Sequence, residues 1–322
     1  MSLASIARVY RLPPKEFEKQ YKDHLSGFKD WDQKDHAEEW MLFSRNVGPR
    51  LSIDEVALTN GELYTVLTDK EKHGKKGTLI AMVEGTKSSD ITKVLLKLPQ
   101  EVRDAVTEVT MDMAEWMEAA VKASFPNAKI VTDRFHVQQL VSDAVQEMRI
   151  TLRRDAIKEE NEAIKQARRE GKQYAPFSYE NGDTKKQLLA RSRYLLFKPS
   201  GQWHEQQSAR AAILFRAYPQ LKAAYDLSMM FRGCYETSHS ILEAKERLQQ
   251  WYLKIEEKQM DTFLVPMESI RLHETTILNY FLNRSTNASA ESFNAKLKNF
   301  RAVVRGVRDK TFHLFRVSKL YA

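Results

Sequence analysis

The chain has 322 residues, with 51 Lys and Arg against 43 Asp and Glu, a formal net charge of +8 and a pI near 9.3; that length suits a large core and two or three domains, and that charge a polyanionic partner. A single cysteine, Cys234, excludes intramolecular disulfides and cysteine-rich zinc sites and points to a reducing cytoplasm. No apolar run approaches the roughly twenty residues that cross a bilayer, and the first eleven residues lack the apolar stretch of a secretory signal, so no membrane partner is expected.

Residues 1–45 read as a short helical region. From Leu3 to Tyr21 an apolar-periodic helix, a proline-bearing turn and a basic second helix follow one another. The pattern resembles half of a helix-turn-helix, although two amphipathic helices joined by a turn usually just pack on a core.

Residues 46–138 carry the sheet. Arg50 to Leu58 is rich in β-formers and ends at Asn60-Gly61, a strong hairpin signal, which puts Asp54 on a strand. Glu62 to Thr68 pairs with it, and Thr78 to Glu84 adds a third strand after the basic loop His73 to Gly77. That loop lacks the Gly-x4-Gly-Lys-Ser/Thr spacing of a phosphate-binding P-loop. A helix near Lys87 to Leu98, a strand from Val106 closing at Asp112, a helix from Met113 and a strand Lys129 to Thr132 come next. An acid at the carboxyl end of a strand stands where open α/β sheets place their ligands.

Residues 139–283 are helical throughout: a long charged helix begins near Val137, a loop runs from about Tyr174 to Asp183, and a helix spans Thr184 to Lys198 before two or three more. Arg191, Arg193 and Trp203 combine basic groups with aromatics, as surfaces that bind nucleic-acid strands do. Aromatics at helical spacing are nevertheless more often core. In residues 284–322, Asn287, Glu291, Asn294 and Lys298 share one helical face at steps of four, three and four, with Phe293, Leu297 and Phe300 as an opposite apolar stripe. Arg301, Arg305 and Arg308 follow directly, placed to hold a DNA backbone.

Three distant acids, Asp54, Asp112 and Glu291, therefore stand where a scaffold could bring carboxylates together. Hard cations prefer oxygen ligands, and two ions roughly 3.5–4 Å apart activate a water or 3′-hydroxyl and stabilise the leaving oxygen of a phosphodiester. Acids are also common on solvated faces and helix caps, so spacing alone does not select these three.

The segments Leu51 to Glu55, Asp112-Met113 through Asp133-Arg134-Phe135-His136-Val137, Asn287 to Asn294, and Phe300-Arg301 with Arg305 to Arg308 together resemble the ISL-three family of DDE transposases over roughly residues 35–322. The resemblance implies an α/β fold: a ribonuclease-H-like mixed-sheet core with a large all-helical insertion and a short helical N-terminal region. It further implies metal-dependent cleavage at mobile-element ends and strand transfer into target DNA. Asp54, Asp112 and Glu291 become the catalytic acids holding two Mg²⁺ ions, with Mn²⁺ as a substitute. Asp133 and His136 match the acid-x-x-His pair of related Mutator and hAT-type transposases; they take a supporting role, with Asp133 the alternative second acid. The expected DNA contacts are Arg134, Asn287, Asn294, Lys298, Arg301, Arg305 and Arg308, with Arg191, Arg193 and Trp203.

Double-stranded DNA is thus the expected partner, as element ends and as target, bound by a homodimer or larger assembly associated with the nucleoid. The family pattern has a longer amino-terminal part with a zinc-binding segment. Its absence from this sequence suggests that end recognition draws on another segment or a separate protein. Two other classes share these features: a catalytically inactive DNA-binding descendant, and a junction or repair nuclease on the same fold.

Overall fold

The computed structural model describes residues 3–58, 61–303 and 309–322. In chain order come α1 (Leu3–Val9), α2 (Pro14–Gln20), a π-helical turn (Tyr21–Leu25), β1 (Trp40–Leu42), β2 (Arg50–Ala57), β3 (Leu63–Asp69) and β4 (Leu79–Glu84). Next are α3 (Ser88–Leu95), α4 (Gln100–Asp104), β5 (Glu108–Met111), α5 (Glu115–Ser124) and β6 (Lys129–Thr132). The helices α6 (Arg134–Arg169), α7 (Lys185–Arg191), α8 (Glu205–Ala217), α9 (Pro219–Thr237) and α10 (Ile241–Lys258) follow. The chain closes with α11 (Leu264–Leu272), α12 (Glu274–Leu278), α13 (Tyr280–Asn283), α14 (Ala288–Val303) and α15 (Lys310–Tyr321). Two compact units divide it: Met1–Asp133 with Asn283–Ala322, and Arg134–Leu282.

The first unit is built on a six-stranded sheet of order β1-β4-β3-β2-β5-β6. The pairs from β1 to β2 are antiparallel, and β2/β5 and β5/β6 are parallel. Three antiparallel strands continued by two parallel ones make the expected ribonuclease-H-like α/β core. The Asn60 half of the expected hairpin turn lies outside the described residues; Gly61 takes a φ of +79°, and the Leu58 N–H donates to the Glu62 carbonyl at 2.8 Å. Strand β1, which sequence patterning did not announce, is an edge addition of three residues. Its outer side is covered by the Gln33 amide, which exchanges hydrogen bonds of 3.0 and 2.8 Å with the Leu42 backbone.

Strand alternation sorts the two faces. Leu51 and Ile53 of β2, Val109 and Met111 of β5 and Ile130 of β6 join Ile91, Leu95, Met117 and Val121 from α3 and α5 in one core cluster. On the opposite face Val56, Tyr64, Val66 and Met82 pack with Phe293 and Leu297 of α14 and Leu314 and Val317 of α15. Burial of each such large apolar side chain contributes about 1.5–3 kcal/mol. The second face also carries Ser52, Asp54, Glu108 and Thr110, all buried, beneath the start of α14.

His313 of α15 is 3% exposed and stacks on Phe300 at 5.1 Å. Burial, with the charges of Arg301 and Arg316 nearby, pushes its pKa down to about 4. An unfolded histidine titrates near 6.5, so between these values the unfolded chain binds the extra proton. The stability His313 contributes is complete above pH 6.5 and is lost as pH falls through 4. Denaturant titrations at a series of pH values should show a loss approaching ~3 kcal/mol at pH 4 that His313→Phe lacks; identical profiles for the two proteins would contradict this.

In the second unit α9 lies against α6, α8 and α10. The core is aromatic, with Phe231, Tyr235, Trp251, Tyr252 and Phe263 buried, and the Trp251 indole N–H donates to the Leu227 carbonyl at 2.9 Å. The helix expected over Thr184 to Lys198 stops at Arg191. The Leu189 carbonyl, which helical residue 193 would use, instead accepts from the buried Arg149 guanidinium at 3.0 Å. Beyond α7 the unit carries six helices rather than two or three, because α11 to α13 are short and broken at His273 and Asn279. No described helix is long and apolar enough to cross a membrane.

Candidate functional site

Strand register builds the site. Arg50 to Ser52 pair with Glu108 to Thr110, and Glu108 to Met111 pair with Lys129 to Thr132. Asp54 lies on β2 two residues past the last β2/β5 pair, and Asp112 and Asp133 directly follow the last β5/β6 pair, at the carboxyl ends of these strands. Oxygens of Asp112 and Asp133 come within 4.8 Å of each other, whereas Asp54 and Glu291 lie outside that group. His136 follows one helical turn along the chain from Asp133, in the first turn of α6.

Helix α14 covers this row. Its sheet-facing edge carries Asn287, just before the first turn, then Asn294 and Arg301, with exposures of 0%, 6% and 6%. Steps of seven are nearly two helical turns, so the three form one stripe. Each meets a carboxylate: the Asn287 backbone N–H donates to Asp133 Oδ1 at 3.1 Å, Asn294 Nδ2 to Asp54 Oδ2 at 2.7 Å, and Arg301 to Glu62 at 2.7 Å. The other Asp54 oxygen accepts the Glu55 N–H at 2.8 Å. Glu291 sits between the two asparagines, one turn from each, and is exposed.

The residues expected to contact DNA lie in different settings. Asn287, Asn294 and Arg301 face the sheet, because the stripe they form adjoins Phe293 and Leu297 rather than opposing them. Trp203 is packed with Phe215 and Tyr225, and its indole N–H donates to the Leu195 carbonyl at 2.9 Å. Lys298 is exposed, while Arg305 and Arg308 lie outside the described residues. Arg191 pairs with the fully buried Asp183, Arg193 lies 5.4 Å from the Tyr194 ring, and Arg134 is 3.7 Å from Glu236 and 5.3 Å from the Tyr235 ring.

Sequence reasoning missed a buried ion pair on the same sheet face. Lys70, just past β3, donates to Glu108 at 3.2 Å and to the Thr110 hydroxyl at 2.6 Å, and Ser285 and Asn283 complete the shell around Glu108. Burial acts to raise the Glu108 carboxyl, but the donors Ser285, Asn283 and Lys70 together hold it below the ordinary range. The period-two pattern of Glu108, Thr110 and Asp112 was the available signal. A cleft of about 730 Å³ opens beside Lys70, lined also by Arg50, His73, Thr286, Ser289 and Ser292.

The donors fit a hard divalent cation. Asp133 Oδ2 and both polar atoms of the Asn287 amide are buried with no hydrogen-bond partner among the described residues. Leaving such groups unmet costs about 1–3 kcal/mol each, more where charge is involved. Carboxylate and amide oxygens are the ligands that Mg²⁺ and Mn²⁺ prefer.

A family model described as a transposase matches residues 51–317. Two curated proteins of Mycobacterium tuberculosis, the transposases for insertion sequence element IS1557 of strains CDC 1551 / Oshkosh and ATCC 25618 / H37Rv, are each 26% identical over 261 residues. The alignments cover 80% of this chain and 57% of each relative, so the chain spans little more than half the length of the curated relatives it matches.

Proposed function

The chain belongs to the ISL-three family of DDE transposases, and from that premise we propose that it cuts DNA at the ends of a mobile element and joins the released 3′-hydroxyl to target DNA. Asp54, Asp112 and Glu291 are the acids of this centre. Asp133 supports them from the end of β6, and His136, three residues on, completes its acid-x-x-His pattern. When bound, two Mg²⁺ or Mn²⁺ ions activate the attacking hydroxyl and stabilise the leaving oxygen.

The chain's own groups hold and orient that centre. Asp54 lies on β2 two residues past its last pairing with β5, Asp112 follows β5 directly, and α14, which carries Glu291, is tied to Asp54 through Asn294. What supports the reading is the parallel pairing that ends at Ser52–Thr110 and Met111–Thr132, just short of these acids, on the face where Asn294 of α14 reaches Asp54. Exposed Lys298 and the basic segment around Arg305 and Arg308 hold the backbone of the cut strand. Because both element ends are cut in concert, a dimer or larger assembly on DNA does the work.

The test is a reaction with a labelled donor end, supercoiled target and Mg²⁺ or Mn²⁺. Joined donor–target products are expected. Nicking without joining would replace the reading with a junction or repair nuclease, and DNA retention with neither product would replace it with a non-catalytic binder.

A further inference from the structure

We propose that Asn294 is a positioning residue for Asp54, and that together with Asn287 it sets the stance of Glu291; the proposal rests on the assignment of Asp54 and Glu291 as metal-binding acids. Asn294 Nδ2 reaches both Asp54 Oδ2 at 2.7 Å and the Glu55 carbonyl at 3.2 Å. Both amide protons are therefore committed to β2, and the amide is held from two directions. The Asp54 carboxylate in turn receives one donor on each oxygen, from Asn294 and from the Glu55 N–H.

The chemistry of the donor matters. A lysine or arginine at this place would orient Asp54 and also neutralise it, competing with a divalent ion. An amide fixes the rotamer and leaves the full negative charge. Arg301 provides the contrast on the same stripe: two turns further along it pairs with Glu62, an acid assigned no part in the reaction. Asn287 clamps the other side of the centre through its N–H to Asp133. Glu291 lies four residues after one clamp and three before the other, so any rotation of α14 that would displace it breaks a hydrogen bond to a strand carboxylate.

Three variants of the full chain separate this role from simple packing: Asn294→Leu, which keeps the volume and removes the donors, Asn294→Gln, which keeps the amide on a longer stem, and Asp54→Asn. Each is measured for Mn²⁺ affinity by calorimetry, for melting temperature without metal, and for kcat and KM in donor nicking. Removal of a group that orients a metal ligand typically costs about 10–100-fold in affinity or activity. Asn294→Leu should weaken Mn²⁺ binding by that factor and lower kcat, with KM for DNA unchanged. Asn294→Gln should recover part of both, and excess Mn²⁺ should restore much of the Asn294→Leu rate. A lowered melting temperature with wild-type Mn²⁺ affinity in both Asn294 variants would overturn the proposal. Wild-type Mn²⁺ affinity in Asp54→Asn would instead remove its premise, the metal assignment itself. Should Asn294→Leu fail to fold, Asn294→Gln decides by the same Mn²⁺ measurement.

Discussion

Asp54→Asn, Asp112→Asn and Glu291→Gln should each lower donor cleavage and joining by more than about 10³-fold, beyond the 10–100-fold usual for residues that only support a metal ligand. Each change is nearly isosteric and removes one negative charge, so packing is kept while the attraction for a divalent ion falls. Metal-free retention on DNA should not fall, because neutralising a carboxylate removes no attraction for the phosphate backbone. Asp133→Asn separates the two neighbouring strand ends. If Asp112 is the ligand and Asp133 its support, Asp133→Asn loses less activity than Asp112→Asn. Glu55→Gln and Glu115→Gln serve as controls beside the proposed ligands; both side chains are exposed and both variants should keep near wild-type rates. Full activity in Asp112→Asn with loss in Asp133→Asn would move the second acid to β6.

Glu108→Leu and Lys70→Met should each destabilise the first unit by about 3–5 kcal/mol, whereas the double variant should lose much less. The side chains are 8% and 13% exposed, so removal of either partner strands the other's charge in a low-dielectric interior. Removal of both leaves a pocket that apolar atoms fill. Urea denaturation of the four proteins gives the coupling directly; strictly additive losses would contradict it. The same pair ties β5 to the chain entering α14 through Ser285 and Asn283. The single variants should therefore also cut activity, by loosening the segment that delivers Glu291.

The strands around Asp54 and Ile130 were legible because β-branched runs between turn residues have few other stable outcomes. Helix α14 was legible from the spacing of Phe293 and Leu297. The strand order that brings β2, β5 and β6 together was not, since it depends on parallel pairing between residues 58 and 21 positions apart, and no local pattern encodes that register. Arg301 shows a different limit. A basic residue after an acidic helix reads as a DNA contact until its helical angle is known; two turns beyond Asn294 it falls on the sheet side and meets Glu62. Trp203 likewise resolves toward the core, where its ring finds Phe215 and Tyr225. Glu108 escaped notice because only a fold that brings Lys70 and Ser285 to it gives that carboxylate a purpose.

An anomalous-difference map from crystals soaked in Mn²⁺ with a donor DNA end tests the central assignment most directly. Manganese peaks bridged by the Asp54 and Asp112 carboxylates, with Glu291 turned from solvent to complete them, are the expected result. Ordered Asp54, Asp112 and Glu291 side chains with manganese bound elsewhere, or with none bound under conditions that support joining, would contradict it.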